Sequence, residues 1–141
     1  MRGSMRGSSR TGRVIVADTG AFLTGFTLYS GAPIAAPPSV IEEVRDPESR
    51  KRLELVRASG SLLVADPPRA YVERVVEEAR LAGLSDRLSR ADIEVIAVAL
   101  HLGERGRVTL ATDDSAVRRL ALRLGIEVAS IRYKSRRSRG S

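Results

Sequence analysis

The 141-residue sequence contains no cysteine and no tryptophan, and it has a single histidine, His101. Without cysteine the chain cannot form a disulfide, a zinc ribbon or a catalytic thiolate. One histidine also argues against a histidine-based metal centre and against a Ser-His-Asp triad. No apolar run approaches the roughly 18 residues that span a bilayer, and no apolar segment typical of a secretory signal is present. We therefore expect a cytoplasmic protein of one domain that does not associate with membranes.

The net charge of +7 is concentrated at the two ends of the chain. Residues 1–13 contain four arginines and no acid, and residues 131–141 contain four arginines, one lysine and no acid. Residues 14–130 therefore carry 15 basic residues against all 17 acids, a net charge of −2. We divide the chain into a basic segment 1–12, a domain 13–131 and a basic segment 132–141. Met-Arg-Gly-Ser occurs twice in the first segment, as in an expression tag, whereas basic tails in general attract nucleic acid.

An unbroken apolar run, residues 14–17, leads directly into Asp18. A short apolar run of this kind is typical of a strand that is buried on both faces, in the middle of a parallel sheet. Open α/β sheets bind their ligands outside the carboxyl ends of the strands. Asp18 is therefore expected at the edge of the sheet where such folds carry out their chemistry.

Short apolar runs alternate with helical patterns along the rest of the chain. Strands are predicted at residues 13–17, 33–36, 61–65, 107–111 and 126–130. Helices are predicted at 20–29, 40–45, 48–58, 71–79 and 93–102, with a last one that starts at Thr112. This alternation indicates an α/β protein, a parallel sheet covered by helices on both faces with the first strand in the centre.

Three aspartates fall at or near predicted helix starts: Asp18, Asp92 and Asp114. Helix starts favour acids through capping and through the helix dipole, so each acid alone has a structural explanation. Ser89-x-x-Asp92 has the spacing of a capping box, and Thr112 followed by Asp113 has the pattern of an N-cap and a first-turn acid. Taken singly, these residues indicate helix starts rather than a site.

Glu42 and Glu43 interrupt an apolar helical turn, so one of them must point away from the direction that its neighbour faces. Together with the three aspartates, an inward-facing Glu43 would give four carboxylates that repel one another unless a cation is present. A set of hard oxygen ligands without histidine or cysteine fits Mg²⁺ or Mn²⁺. Such a site activates water for the hydrolysis of phosphodiesters.

Four stretches together resemble the acidic motifs of PIN-domain ribonucleases. They are Val-Ala-Asp-Thr-Gly-Ala-Phe-Leu at 16–23, Val-Ile-Glu-Glu-Val-Arg-Asp at 40–46, Leu-Ser-Arg-Ala-Asp-Ile-Glu-Val-Ile-Ala-Val-Ala at 88–99, and Ala-Thr-Asp-Asp-Ser-Ala-Val at 111–117. Each motif is short, but the four occur in the family's order and span residues 13–131. The second, third and fourth are most similar to the NOB type, which cuts precursor small-subunit ribosomal RNA to its mature 3′ end.

The resemblance implies a three-layer α/β/α fold with a five-stranded parallel sheet of order 3-2-1-4-5, and a divalent-metal endoribonuclease. It assigns the metal site to Asp18, Glu43, Asp92 and Asp114, with Thr112 as a supporting hydroxyl. Asp113 is a further candidate ligand, because the doubled acid leaves the alignment ambiguous by one residue. Water is then the expected nucleophile, and the expected products carry a 5′-phosphate and a 3′-hydroxyl.

The implied partner is precursor ribosomal RNA in a pre-ribosomal particle, with two alternatives left open. One is a ribonuclease like the VapC toxins, and the other is a non-catalytic RNA-binding scaffold for ribosome assembly. NOB-type proteins usually carry a zinc ribbon after this domain, whereas this sequence has no cysteine. The resemblance therefore bears on nuclease chemistry more than on the choice of RNA.

Basic residues near the acids and in the C-terminal segment are the candidates for binding RNA: Arg45, Arg90, Lys134, Arg136 and Arg137. Arg45 and Arg90 could hold a phosphate, or they could form salt bridges within the acidic cluster. The segment 132–139 is expected to supply affinity for RNA and no catalysis, since it has five cations and no acid.

Overall fold

The structure, a computed structural model, describes residues 12–26 and 31–131. Within these ranges the elements follow in the order β1 (Val14–Ala17), α1 (Thr19–Leu23), β2 (Ile34–Ala36), α2 (Pro38–Glu43), α3 (Pro47–Ala58), β3 (Leu62–Val64), α4 (Arg69–Leu81), a short 3₁₀ helix (Ser85–Arg87), α5 (Arg90–Leu102), β4 (Val108–Ala111), α6 (Ser115–Arg123) and β5 (Glu127–Ala129). The alternation predicted from the sequence is therefore confirmed.

All five strands are parallel and form one sheet of order β3-β2-β1-β4-β5. The central strand β1 pairs with β2 through Ile15 and Ile34, and with β4 through Val16 and Leu110. The chain leaves β1 first toward β2 and β3, and it later returns toward β4 and β5. Because such crossovers are right-handed, the two directions place helices on opposite faces of the sheet. The expected α/β/α fold and its strand order are confirmed.

The apolar runs are continuous because the central strands are covered on both faces. Val16 and Ala17 in β1, and Leu110 and Ala111 in β4, are fully inaccessible to solvent. Helix α5 lies across the centre of the sheet, in contact with β1, β2 and β4. The edge strand β3 is more exposed than these central strands, as expected of a strand with a neighbour on only one side.

The predicted helices are present, with starts that differ by up to three residues, but two predictions about them are wrong. Helix α5 begins with the predicted capping box of Ser89 and Asp92. The continuous helix expected over 20–29 is wrong, because α1 ends at Leu23 and Gly25, with a φ of 81°, leaves the helical conformation; residues 27–30 of that prediction lie outside the described residues. The assignment of Thr112 as the N-cap of the last helix is wrong, because the side chain of Asp114 caps α6. Over residues 12–26 and 31–131, no helix is both long and apolar enough to cross a membrane.

Helix α6 offers a matched pair of leucines that tests how far this core determines stability. Leu120 is fully buried, whereas Leu122 is 56% exposed. We expect Leu120→Ala to lower the free energy of unfolding by about 2–5 kcal/mol, because it leaves a cavity in the core. Leu122→Ala should change it by no more than about 0.5 kcal/mol. Urea denaturation measures both values, and equal losses would contradict the packing described for α6.

Candidate active site

A cleft of about 390 Å³ opens at the carboxyl ends of the central strands. Its lining comes from the segments that follow β1, β4 and β5, together with the end of α2 and the start of α5: Asp18, Thr19, Gly20, Thr24, Glu43, Asp92, Asp113, Asp114 and Ile131. Each acid that the sequence singled out is therefore in the lining. Glu43, and not Glu42, is the glutamate of α2 that reaches the cleft.

Asp18 lies at the base of the cleft, where β1 passes into α1. Its Oδ1 accepts a hydrogen bond from Ala21 N at 3.0 Å, so the carboxylate caps α1. Its Oδ2 accepts a hydrogen bond of 2.5 Å from Thr112 Oγ1, at the end of β4. Asp18 is only 8% exposed. The carboxylate is thus fixed on both sides by the ends of neighbouring strands.

Thr112 and Asp114 form a turn that connects β4 to α6. Thr112 Oγ1 donates to Asp18 and at the same time accepts from Asp114 N at 3.1 Å. Asp114 Oδ1 accepts from the amides of Ala116 and Val117, which lie in the first turn of α6. The helix cap therefore sets the orientation of Asp114, and Thr112 links that acid to Asp18.

Asp92 and Glu43 approach the cleft from two different helices. Asp92 Oδ2 accepts from Ser89 N at 2.9 Å, and Asp92 N donates to Ser89 Oγ at 3.1 Å, which completes the capping box of α5. Glu43 is the last residue of α2, and its Oε1 accepts from Thr19 Oγ1 at 2.7 Å. Glu43 is thus bonded to Thr19, the residue that follows Asp18.

The charges of these acids act on one another. Burial raises the pKa of Asp18 above its ordinary value, and the charges of Asp92 and Asp114 raise it further, against the hydrogen bonds that the carboxylate accepts. Burial also raises the pKa of Asp92, with smaller contributions from the charges of Asp114 and Glu43. No lysine or arginine from the described ranges lines the cleft. A bound cation would relieve this repulsion.

The donor atoms fit a hard divalent cation in type. One oxygen each of Asp92, Asp114 and Glu43 (Oδ1, Oδ2 and Oε2, respectively) accepts no hydrogen bond from the described part of the chain. Carboxylate oxygens are the ligands that Mg²⁺ and Mn²⁺ prefer. As the side chains stand, no group of three or more acids or histidines in residues 12–26 and 31–131 has the spacing to hold a metal ion.

Asp113 also lines the cleft, but it takes part in different contacts from the other acids. Its Oδ1 accepts from Ser130 Oγ at 2.7 Å and from Ile131 N at 3.0 Å. These bonds join the turn after β4 to the residues that follow β5. The carboxylate of the neighbouring Asp114 instead accepts from the amides at the start of α6, so the doubled acid has two distinct structural roles.

Two of the basic residues proposed for RNA binding, Arg45 and Arg90, lie outside the lining of the cleft. Arg45 Nε donates to the carbonyl of Glu42, and Arg90 Nε is paired with Glu94 Oε2 at 3.2 Å. Neither arginine forms a salt bridge with one of the four acids, so their pairing within the acidic cluster is not observed. Lys134, Arg136 and Arg137 lie outside the described residues.

Two contacts that hold the site together were not predicted from the sequence. One is the bond from Thr19 to Glu43. The other is a bond of 2.5 Å from Ser39 Oγ to Glu94 Oε1, which connects α2 with α5 and thus relates the helices that carry Glu43 and Asp92. The partners are 24 and 55 residues apart, so no local pattern marks them. The sequence signal for a role of Glu94 was its position as an acid within the apolar helix α5.

Comparisons with known proteins show the family to which the chain is similar. The model of the family "PIN domain of ribonuclease" matches residues 15–102. The chain is 52% identical over 136 residues to a protein of Aeropyrum pernix named Ribonuclease VapC3, covering 95% of this chain and 98% of that one. It is 30% identical over 118 residues to a protein of Pyrococcus abyssi named Endoribonuclease Nob1, covering 84% of this chain and 68% of that one. The similarity to the NOB type is therefore present, but the similarity to VapC3 is greater.

A solved structure, the VapBC2 complex of Rickettsia felis bound to a promoter DNA fragment, contains a chain of the same fold. The TM-score is 0.60, and the match covers 83% of this chain and 98% of that one. At 14% sequence identity this likeness supports the fold alone. With the family match, the 52% identity and the acids gathered at the carboxyl edge of the sheet, the chain belongs to the PIN-domain family of metal-dependent endoribonucleases.

Proposed function

We propose that this protein hydrolyses phosphodiester bonds of RNA with Mg²⁺ or Mn²⁺ held by Asp18, Asp92 and Asp114, and that Glu43 completes the ligand set directly or through water. The observation that carries the proposal is the convergence of four acids from separate segments in a cleft that no basic side chain of the described residues lines. When bound, the ion supplies water activation and charge neutralisation at the phosphate.

The chain's own contribution is to hold the carboxylates in place. Asp18, Asp92 and Asp114 each use one oxygen to accept from amides at a helix start, which orients the side chain. The second oxygen of Asp92 and of Asp114 accepts no hydrogen bond from the described residues, whereas that of Asp18 accepts from Thr112. The Thr112 hydroxyl fixes Asp18 relative to Asp114. Asp113 bonds to the residues after β5, so we assign the position of principal ligand to Asp114.

The two groups of relatives suggest two classes of RNA substrate. The similarity to VapC3 extends over 98% of that protein at 52% identity, so an endoribonuclease of the VapC type is the function we favour. Maturation of the 3′ end of precursor small-subunit ribosomal RNA is the second candidate. It is supported by the 30% identity to Nob1 and by the stretches around Glu43 and Asp92.

We further propose that the protein acts in the cytoplasm and that five basic residues supply affinity for RNA: Arg45, Arg90, Lys134, Arg136 and Arg137. A protein partner, as in the VapBC2 complex, is part of the VapC-type proposal. Exposed apolar side chains on α3 and on the edge strand β3 are consistent with such a partner: Leu55, Leu63 and Val64.

Metal dependence and product ends test the proposed chemistry. We expect Mg²⁺ or Mn²⁺ to support cleavage of RNA and excess EDTA to abolish it. The products should carry 5′-phosphate and 3′-hydroxyl ends, because the single histidine, His101, is absent from the cleft lining and no imidazole can promote attack by the ribose 2′-hydroxyl. Full activity in EDTA, or 2′,3′-cyclic phosphate ends, would rule the mechanism out.

The same assay distinguishes the two substrate classes when it uses a transcript that spans the 3′ end of small-subunit ribosomal RNA and an unrelated structured RNA. Cleavage confined to the mature 3′ end favours ribosomal maturation, and sites elsewhere favour the VapC type.

Single substitutions test which carboxylates are needed. We expect Asp92→Asn, Asp114→Asn and Glu43→Gln each to lower kcat/KM by at least about 100-fold, more than the loss typical of residues that only support a ligand. The matched control is Glu127→Gln. Glu127 is the first residue of β5, so it lies at the amino ends of the strands, away from the cleft at their carboxyl ends. Wild-type activity in Glu43→Gln would remove that residue from the ligand set.

The raised pKa of Asp92 leads to a stability prediction that does not depend on activity. Above the ordinary pKa of 3.8, the folded protein retains the proton longer than the unfolded chain does, so the stability of the wild type falls as the pH rises through that range. In metal-free buffer at pH 7, Asp92→Asn should therefore have a higher Tm than the wild type, and the difference should shrink toward pH 3.

Added Mn²⁺ should raise the Tm of the wild type and have little effect on Asp92→Asn. Equal Mn²⁺ shifts in both proteins would argue against Asp92 as a ligand. Calorimetry over a pH series measures both effects.

A further inference from the structure

Glu94 is a largely buried acid that the proposed chemistry does not use. It lies in the apolar helix α5, two residues after Asp92, and its side chain is only 15% exposed. Its Oε1 accepts a hydrogen bond of 2.5 Å from Ser39 Oγ, and its Oε2 pairs with Arg90 Nε at 3.2 Å. Burying a carboxylate is unfavourable unless its oxygens have such partners. Arg90 is exposed and belongs to α5 itself, so Ser39 is the partner that links Glu94 to another helix.

The partner of Glu94 lies on the same helix face as an acid of the cleft. Ser39 and Glu43 are the second and the last residue of α2, four positions apart. Side chains at this spacing lie on one face of a helix, one turn from each other. Glu43 lines the cleft together with Asp92 of α5. Helix α2 is therefore bonded to α5 at one turn and carries its acid toward the start of α5 at the next.

The two acids at this junction repel each other. Burial raises the pKa of Asp92, and the charges of Asp114 and Glu43 raise it further. Repulsion between Glu43 and Asp92 pushes α2 away from α5. Helix α2 has six residues and no described side chain caps its N-terminus, so its position depends on contacts with its neighbours. A hydrogen bond to a carboxylate, stronger than one between neutral groups, opposes the repulsion at the other end of α2.

We infer that Glu94 is a positioning residue: through Ser39 it holds α2 against the start of α5, and so keeps Glu43 and Asp92 in one cleft against their mutual repulsion. The inference rests on the proposed ribonuclease function, because it concerns the acids proposed to hold the metal ion. Glu94 itself is not part of the cleft lining, so it acts on the site through α2 and not as a ligand.

The affinity for Mn²⁺, measured by isothermal titration calorimetry without RNA, tests this role. We expect Ser39→Ala and Glu94→Ala each to weaken Mn²⁺ binding about three- to tenfold, less than the roughly 10- to 100-fold typical of groups that bond a metal ligand directly. Glu94→Gln keeps an oxygen that can accept from Ser39, so its affinity should stay within about twofold of the wild type. If Glu94→Gln loses as much affinity as Glu94→Ala, the charge of Glu94 acts directly on the metal and the inference is overturned.

A double-mutant cycle tests whether the Ser39 contact acts through Glu43. In the background of Glu43→Gln, Ser39→Ala should weaken Mn²⁺ binding by less than about twofold, because the neutral side chain is not repelled by Asp92 and α2 no longer carries the ligand. An equal loss in both backgrounds would show that the bond acts on the fold as a whole, which would overturn the inference.

A second serine provides the matched control. Ser59 Oγ donates to the carbonyl of Val56 at the end of α3, outside the cleft lining, so Ser59→Ala should leave the Mn²⁺ affinity unchanged. If Glu94→Ala fails to fold, the double variant Ser39→Ala/Glu94→Leu replaces the polar pair by apolar groups, which usually preserves stability. It should still bind Mn²⁺ about three- to tenfold more weakly than the wild type.

These measurements separate the role of Glu94 from the proposed function. A wild type that binds no Mn²⁺ contradicts the proposed function itself. A wild type that binds Mn²⁺, together with an equally tight Ser39→Ala or Ser39→Ala/Glu94→Leu, overturns only the role of Glu94.

Discussion

The hydrogen bond from Thr112 to Asp18 is the contact on which the site depends. It joins the carboxyl ends of β1 and β4, the two strands at the centre of the sheet, and both residues are buried. The Thr112 hydroxyl also accepts from Asp114 N, so one side chain sets the relative positions of two acids that are 96 residues apart in sequence. The parallel sheet makes this contact possible, because neighbouring parallel strands end at the same edge.

Helix capping and the site use the same carboxylates. Asp18, Asp92 and Asp114 each accept hydrogen bonds from backbone amides at a helix start, which stabilises the helices α1, α5 and α6. Burial, together with the charges of the neighbouring acids, raises the pKa of Asp18 and of Asp92, which lowers the stability of the folded state at neutral pH. Bringing these charges together therefore has a cost that helix capping alone does not require. The same acids cap helices and line the candidate site.

Local pattern was sufficient for the strands and for the capping box of Ser89 and Asp92, but not for the cap of α6 or for contacts between distant segments. The apolar runs predicted a parallel sheet because buried strands have no polar face, and the resemblance to PIN domains supplied the strand order. Asp113 and Asp114 could not be separated from the sequence, since adjacent acids at a helix start are equivalent until the cap is seen. The bonds from Ser39 to Glu94 and from Asp113 to Ile131 depend on packing between elements that the sequence does not reveal.

The lining of the cleft bears on the chemistry of the site more than on the choice of RNA. Its lining in the described residues consists of carboxylates, small residues and Ile131, with no aromatic or basic side chain to stack on a base or to contact a phosphate. Such a surface can hold a metal ion and a scissile phosphate, but it offers little with which to recognise a nucleotide sequence. Selection of the RNA must therefore come from surfaces around the cleft.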